Sequence, residues 1–277
     1  MRHVSGWGLA VLLLAGSMAW GQQLKSLKPG FDMFTPQQDV QLGREAAAQV
    51  EKTQPVVKNA QIDSYINELG HRLAQSPHAG NFPFSFHVIY DKNINAFALP
   101  GGPIFVNTAT FLAADNEAQL AGVLAHEMSH IALRHGTHQA SKGNVINLLA
   151  GLAGAATGNG LMGALAREGI NLGANSVLLH YSRDAESEAD YNGAQIMADA
   201  GYDPRQMAEF FRKLETHSNS SAVAQFLSDH PNPGNRVTAV EKEVQLMPSR
   251  TYNANTGQFR QIQQVIKTLP PPAAGAH

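Results

Sequence analysis

Hydrophobic residues recur every three to four positions through NAQIDSYINELGHRLAQS and place Ile62, Tyr65, Ile66, Leu69 and Leu73 on one face. That period predicts an amphipathic helix. A second helix is predicted just before it, over FTPQQDVQLGREAAAQVEK. There Thr35 can cap the first turn and Pro36 takes the first helical position. The period then changes to two. FSFHVIYD alternates like a strand, and NAFALPGGPIFVNTATF reads as two short strands joined by the PGG turn. From a cap at Asn116, EAQLAGVLAHEMSHIALRHGTHQ returns to helix.

Further along, LHYSRDAESEADYNGAQIMADAGYDP reads as a long helix stopped by Gly201. Asp203-Pro204 then opens another, PRQMAEFFRKLETH. SDHPNPGNR is expected to be a loop, RVTAVEKEVQLM a helix, and the Pro- and Ala-rich end an irregular tail. Helices, a small sheet, then more helices imply an α+β fold, since strand and helix do not alternate as a parallel sheet requires.

Two apolar stretches do not fit the amphipathic pattern. The first, WGLAVLLLAGSMAW, follows Arg2 and ends in small residues, so residues 1–21 read as a cleaved signal peptide. The run is short for a membrane span. The second, VINLLAGLAGAATGNGLMGALA at 145–166, has no charged side chain. Its glycines argue for small-residue helices packed on the core or a lid. A hairpin touching a membrane is the alternative. On these grounds 22–250 is taken as the main domain and 251–277 as a C-terminal helix with its tail.

Composition narrows the setting. The chain of 277 residues has a formal net charge of −2, which gives no electrostatic footprint for nucleic acid. It has no cysteine, so the signal peptide has no lipid-attachment thiol and no disulfide can form. A periplasmic protein that is not a lipoprotein is the expected result.

The chemistry is concentrated in AHEMSHIALRHG. On a helix, His126 and His130 are four apart and project side by side, about 40° apart around the axis. Both imidazoles can reach one Zn²⁺ at roughly 2.0–2.1 Å, and Glu127 is placed to hold a water beside them. An ordinary wet helix face is the rival, but this helix is largely apolar, and buried histidines need partners. Three residues compete to be the third ligand. His135 lies about 140° around from His130 and points away unless the helix breaks early. It otherwise reads as a cation near a helix end. Glu186 shares a helix face with Asp190, so one carboxylate can ligate while the other fixes an imidazole tautomer. Glu188 lies about 200° from Glu186 and is expected to be solvated. His230, in a Pro-rich loop, can approach a metal or a substrate.

NAFALPGGPIFV, LAHEMSHIALRH, YSRDAESEAD and HPNPGNR occur in that order. Together they resemble the HtpX-like zinc metallopeptidases, family forty-eight of the metallopeptidases, and among them the periplasmic BepA-like members. The resemblance implies a mostly helical, zincin-like domain with a small sheet beside the HExxH helix, acting as a zinc-dependent endopeptidase with one Zn²⁺ per chain. It implies His126, His130 and Glu186 as ligands, Glu127 as base and Asp190 as the partner of a zinc histidine. Asn95, Ala96, Phe97, Ala98 and Leu99 would offer an edge strand to an extended peptide. His230, pinned by Arg236, would lie close to the metal. It or Tyr181 would donate to the oxyanion, and in periplasmic members such a histidine can fill the fourth zinc position and hold the enzyme latent. Expected substrates are polypeptides, including outer-membrane proteins, in envelope quality control. The rivals are a chaperone-like protein that keeps the zinc without turnover, and a latent peptidase gated by His230. The chain departs from the family in two respects: membrane members have spanning helices, and BepA-like chains continue into tetratricopeptide repeats. A stand-alone peptidase domain is therefore expected.

Overall fold

The computed structural model describes residues 24, 26–142, 181–232, 234–248, 250–252 and 257–272. The expected signal peptide at 1–21, the 145–166 run and the last residues of the tail lie outside that set. Among the described residues no helix is long and apolar enough to cross a membrane.

Helix α1 spans Pro36–Thr53 and α2 spans Ala60–Leu73. Thr35 caps α1 in a reciprocal box with Gln38, and Asn59 caps α2. Both caps satisfy amide groups that a helix start leaves without partners. All five apolar positions anticipated for α2 are buried. Three strands follow: β1 at Ser85–Ile89, β2 at Ala96–Ala98 and β3 at Pro103–Asn107. Their order is β1-β3-β2, with β1 parallel and β2 antiparallel to β3. Gly101, with φ 74°, makes the turn between β2 and β3. A Cβ there would lie 2.3 Å from the Val40 amide, so the position accepts no side chain.

The period-two pattern gives the sheet two apolar faces. Phe97, Leu99 and Phe105 face α1, where Leu42, Ala46 and Val50 complete a small cluster. Phe86, Val88, Ala96, Ala98, Ile104 and Val106 face the main core. That core is built around α4, Glu117–Ala132, which follows the short α3, Thr108–Ala113. Every residue of α4 from Glu117 to Ile131 is buried. Its polar groups therefore need internal partners. Glu117 accepts from the Tyr65 and Tyr202 hydroxyls at 3.0 and 2.7 Å.

The helix expected to run on through Gln139 instead breaks after Ala132 and restarts as α5, His135–Lys142. Arg134 sits at the break with φ 57°, in the left-handed region. Such a conformation costs a non-glycine residue roughly 1–2 kcal/mol. Long-range contacts hold it: Arg134 Nε donates to Asp39 at 2.6 Å, and its guanidinium lies 3.3 Å from Asp32. The remaining helices among the described residues are α6 at Arg183–Asp199, α7 at Arg205–Thr216, α8 at Ser221–Asp229, α9 at Arg236–Leu246 and α10 at Gly257–Lys267. Helix α6 packs along α4 as its main partner. Helix α8 occupies a stretch for which the pattern predicted no element. Helix α10 buries Phe259, Ile262 and Ile266 in the core with α2. The result is a mostly helical α+β fold with a small mixed sheet beside α4.

Candidate metal centre

Helices α4 and α6 approach closely at one point. A Cβ on Gly193 would lie 3.2 Å from the backbone of Ala125 and His126, tighter than ordinary packing. Glycine there lets α6 bring Glu186 and Asp190, two turns and one turn earlier, against the α4 histidines. His126, His130 and Glu186, together with His230 just after α8, form a buried cluster whose donor atoms all lie within 4.8 Å of one another.

Five donor distances inside that cluster lie between 3.1 and 3.4 Å, with Glu186 turning Oε2 to His126 and Oε1 to His130 and His230. His126 Nε2 is 3.1 Å from His130 Nε2, 3.3 Å from His230 Nδ1 and 3.3 Å from Glu186 Oε2. Glu186 Oε1 is 3.4 Å from His130 Nε2 and 3.3 Å from His230 Nδ1. A tetrahedron with bonds of about 2.0–2.1 Å has edges of about 3.3–3.4 Å. Three imidazole nitrogens and a carboxylate also make a donor set suited to Zn²⁺. The residues present therefore fit the ion.

Glu127 gives a second test of fit. It is fully buried, neither of its oxygens has a hydrogen-bond partner among the described residues, and Oε1 stands 3.4 Å from His230 Nε2. Burial pushes its carboxyl above the usual range. A buried carboxylate with this freedom, beside four metal donors, is chemically suited to hold and move a proton.

The surrounding groups set the charge of the cluster. His126 Nδ1 lies 3.0 Å from Asp190 Oδ1, an ion-pair contact outside good hydrogen-bond geometry. Arg236 grips both carboxylates: its Nε and Nη2 donate to Asp190 at 2.9 and 2.7 Å, and Nη2 also reaches Glu186 at 3.2 Å. The guanidinium lies 3.8 Å over the Phe211 ring. Burial alone would raise Asp190, but Arg236 and His126 outweigh it and hold it below its ordinary value. Burial disfavours a charged His126 ring, yet Glu186 and Asp190 prevail and raise it to about 9. His130 is held well below its ordinary value, chiefly by burial. Tyr181 stacks on its ring, with centroids 3.7 Å apart.

The strand expected to receive substrate is an edge strand, and its outer edge is covered. Asn95 and Leu99 pair with β3 through Asn107 and Pro103. By alternation the backbone groups of Ala96 and Ala98 face outward. His230 Nε2 lies 3.3 Å from the Ala96 carbonyl. Beside it, the Ile94 amide donates to the Ala222 carbonyl at 2.7 Å and the Asn95 side chain to Asp229 at 3.0 Å. Asn95, Ala96, Phe97, Ala98 and Leu99 are all buried.

Two expectations need correction. His135 does not point away from the centre: the break at Arg134 turns the chain, and His135 Nδ1 lies 2.9 Å from His130 Nδ1. It stands outside the four-donor cluster. Glu188 is not simply solvated, because its Oε2 meets His135 Nε2 at 3.2 Å. The contacts of Arg236 with Glu186 and Asp190 also escaped the sequence reading. An arginine following a histidine loop was their only signal.

A buried HExxH helix paired with a glutamate from a second helix defines a metallopeptidase of the zincin class. The chain belongs to Peptidase family M48, whose profile matches residues 58–244. It is 30% identical over 278 residues to the beta-barrel assembly-enhancing protease of Yersinia pestis, covering 92% of this chain and 56% of that protein. It is 32% identical over 206 residues to the protein of the same name in Escherichia coli K12, covering 72% and 42%. The mitochondrial metalloendopeptidase OMA1 of Schizosaccharomyces pombe is 31% identical over 179 residues, covering 64% and 52%. The chain thus spans about half the length of these relatives.

Proposed function

We propose that this chain is a zinc-dependent endopeptidase that hydrolyses misfolded or envelope proteins in the periplasm, reached through cleavage of residues 1–21. The observation that carries this reading is the cluster of four buried donors within 4.8 Å of one another, beside a buried Glu127 whose oxygens accept no hydrogen bond among the described residues. The names of the relatives, an assembly-enhancing protease among them, support the substrate class.

His126, His130 and Glu186 would hold the ion, with Asp190 orienting His126. When bound, zinc supplies Lewis-acid polarisation of a carbonyl and acidifies a water. Glu127 takes the proton of the attacking water and returns it to the leaving amine as the peptide C–N bond breaks. Its raised affinity for protons suits both transfers. An extended substrate would pair with the outward groups of Ala96 and Ala98. Burial on all sides of Glu127 excludes bulk water from the transfer. Glu127→Gln is expected to fold and bind one zinc per chain, while casein cleavage falls by ~10²–10⁴-fold. Wild-type cleavage by that variant would defeat the assignment.

One observation favours a refinement, a peptidase held latent by His230. A catalytic zinc keeps one position open for water. Here His230 Nδ1 stands 3.3 Å from both His126 and Glu186, and its Nε2 caps the strand edge that a substrate needs. His230→Ala is expected to cleave casein faster than wild type. If cleavage instead falls, His230 serves as an oxyanion donor and the latch is wrong. A chaperone-like protein that keeps zinc without turnover predicts no chelator-sensitive cleavage from either form.

A further inference from the structure

The two ligating histidines of α4 are supported differently. His126 Nδ1 faces Asp190, which Arg236 holds. His130 Nδ1 faces another histidine, His135, at 2.9 Å. His135 is buried, and its other nitrogen, Nε2, lies 3.2 Å from Glu188 Oε2.

Proton placement along this chain has one self-consistent solution. To ligate through Nε2, His130 must carry its ring proton on Nδ1, and a buried N–H needs an acceptor. Among the described residues the acceptor in reach is His135 Nδ1, which can accept only as a lone pair. The His135 proton must then sit on Nε2, where the Glu188 carboxylate can accept it. We infer that His135 and Glu188 form a positioning relay for His130, the counterpart on this side of the centre to Asp190 and Arg236 on the other. The hydrogen bonds run Glu188 carboxylate to His135 N–H, then His135 lone pair to His130 N–H. They fix the His130 tautomer and aim its free nitrogen into the donor cluster.

The fold goes out of its way to make this contact. A continued α4 would carry His135 about 140° around the axis from His130. The chain instead breaks, Arg134 adopts φ 57°, and Asp39 and Asp32 clamp it. Thr137, in the first turn of α5, donates to the same Asp32 at 2.6 Å. The returning backbone delivers His135 to His130. His135 is thus a positioning residue, touching a ligand and not the ion.

The relay rests on the metal-centre reading, and its test separates the two. Zinc affinity of the full chain would be measured by competition with a chromophoric chelator, with melting of the metal-free chain as the folding control. His135→Ala is expected to weaken zinc binding by ~10–100-fold. His135→Asn places a side-chain oxygen near the position of Nδ1 and is expected to recover most of that loss. In ring ¹⁵N spectra of the zinc-loaded wild type, His135 is expected as the Nε2–H tautomer. Three results would overturn the relay: wild-type affinity in His135→Ala, an Asn variant that folds yet binds no better than Ala, or an Nδ1–H tautomer. If His135→Ala does not fold, the Asn variant and the wild-type spectrum decide. A wild-type chain that binds no zinc would overturn the metal centre itself, and the relay with it.

Discussion

The α4–α6 pair and the α8–His230 segment both put donors into one cluster, but they are held in different ways. The pair is packed through Gly193 at backbone contact, and its carboxylates are locked by Arg236. The α8 segment leans on the β2 edge through the Ile94–Ala222, Asn95–Asp229 and His230–Ala96 contacts. A close-packed backbone interface changes only by rearrangement of the core. A helix resting on a strand edge can exchange its hydrogen bonds for those of an incoming strand. The difference suggests a permanent three-ligand site with a displaceable fourth donor.

The largest expected effect breaks the permanent half. Glu186→Ala removes a donor that also pairs with Arg236 and is expected to abolish stoichiometric zinc binding, read by metal analysis of the purified chain. Next comes Arg236→Ala, which leaves Asp190 buried beside His126 without its cation. Loss of one partner of a buried pair costs about 3–5 kcal/mol, to be read from denaturant unfolding of the metal-free chain. The displaceable half predicts smaller effects. Gln225→Ala removes a 2.8 Å hydrogen bond to Asp229 and loosens α8 by about 1 kcal/mol. Amide exchange at Ile94 should quicken while zinc content stays the same. Unchanged exchange there would mean that α8 is as fixed as the helix pair.

The parts of the fold that follow from local rules could be read from the sequence. Thr35 and Asn116, expected as caps, have side chains that accept from the first turns of their helices. The spacings of His126 with His130 and of Glu186 with Asp190 put each pair on one helix face, and the structure brings both pairs to one place. What could not be read depends on distant contacts. Gly136 signals a helix end nearby, but the left-handed turn at Arg134 depends on Asp32 and Asp39, which lie about a hundred positions earlier. The His130–His135 contact follows from that break, the one condition under which His135 was expected to turn toward the centre. Helix α8 was missed because its run, SAVAQFLSD, is short, and Val223, Phe226 and Leu227 span little more than one turn. The behaviour of 145–166 is a property of residues outside the described set.

One measurement bears most directly on a two-helix site with a removable fourth donor: zinc per chain in Glu186→Ala and His230→Ala, purified side by side with wild type. The expected result is about one zinc in wild type and His230→Ala and none in Glu186→Ala. Zinc retained by Glu186→Ala and lost from His230→Ala would contradict it, and would place the third ligand in the loop after α8 instead of on α6.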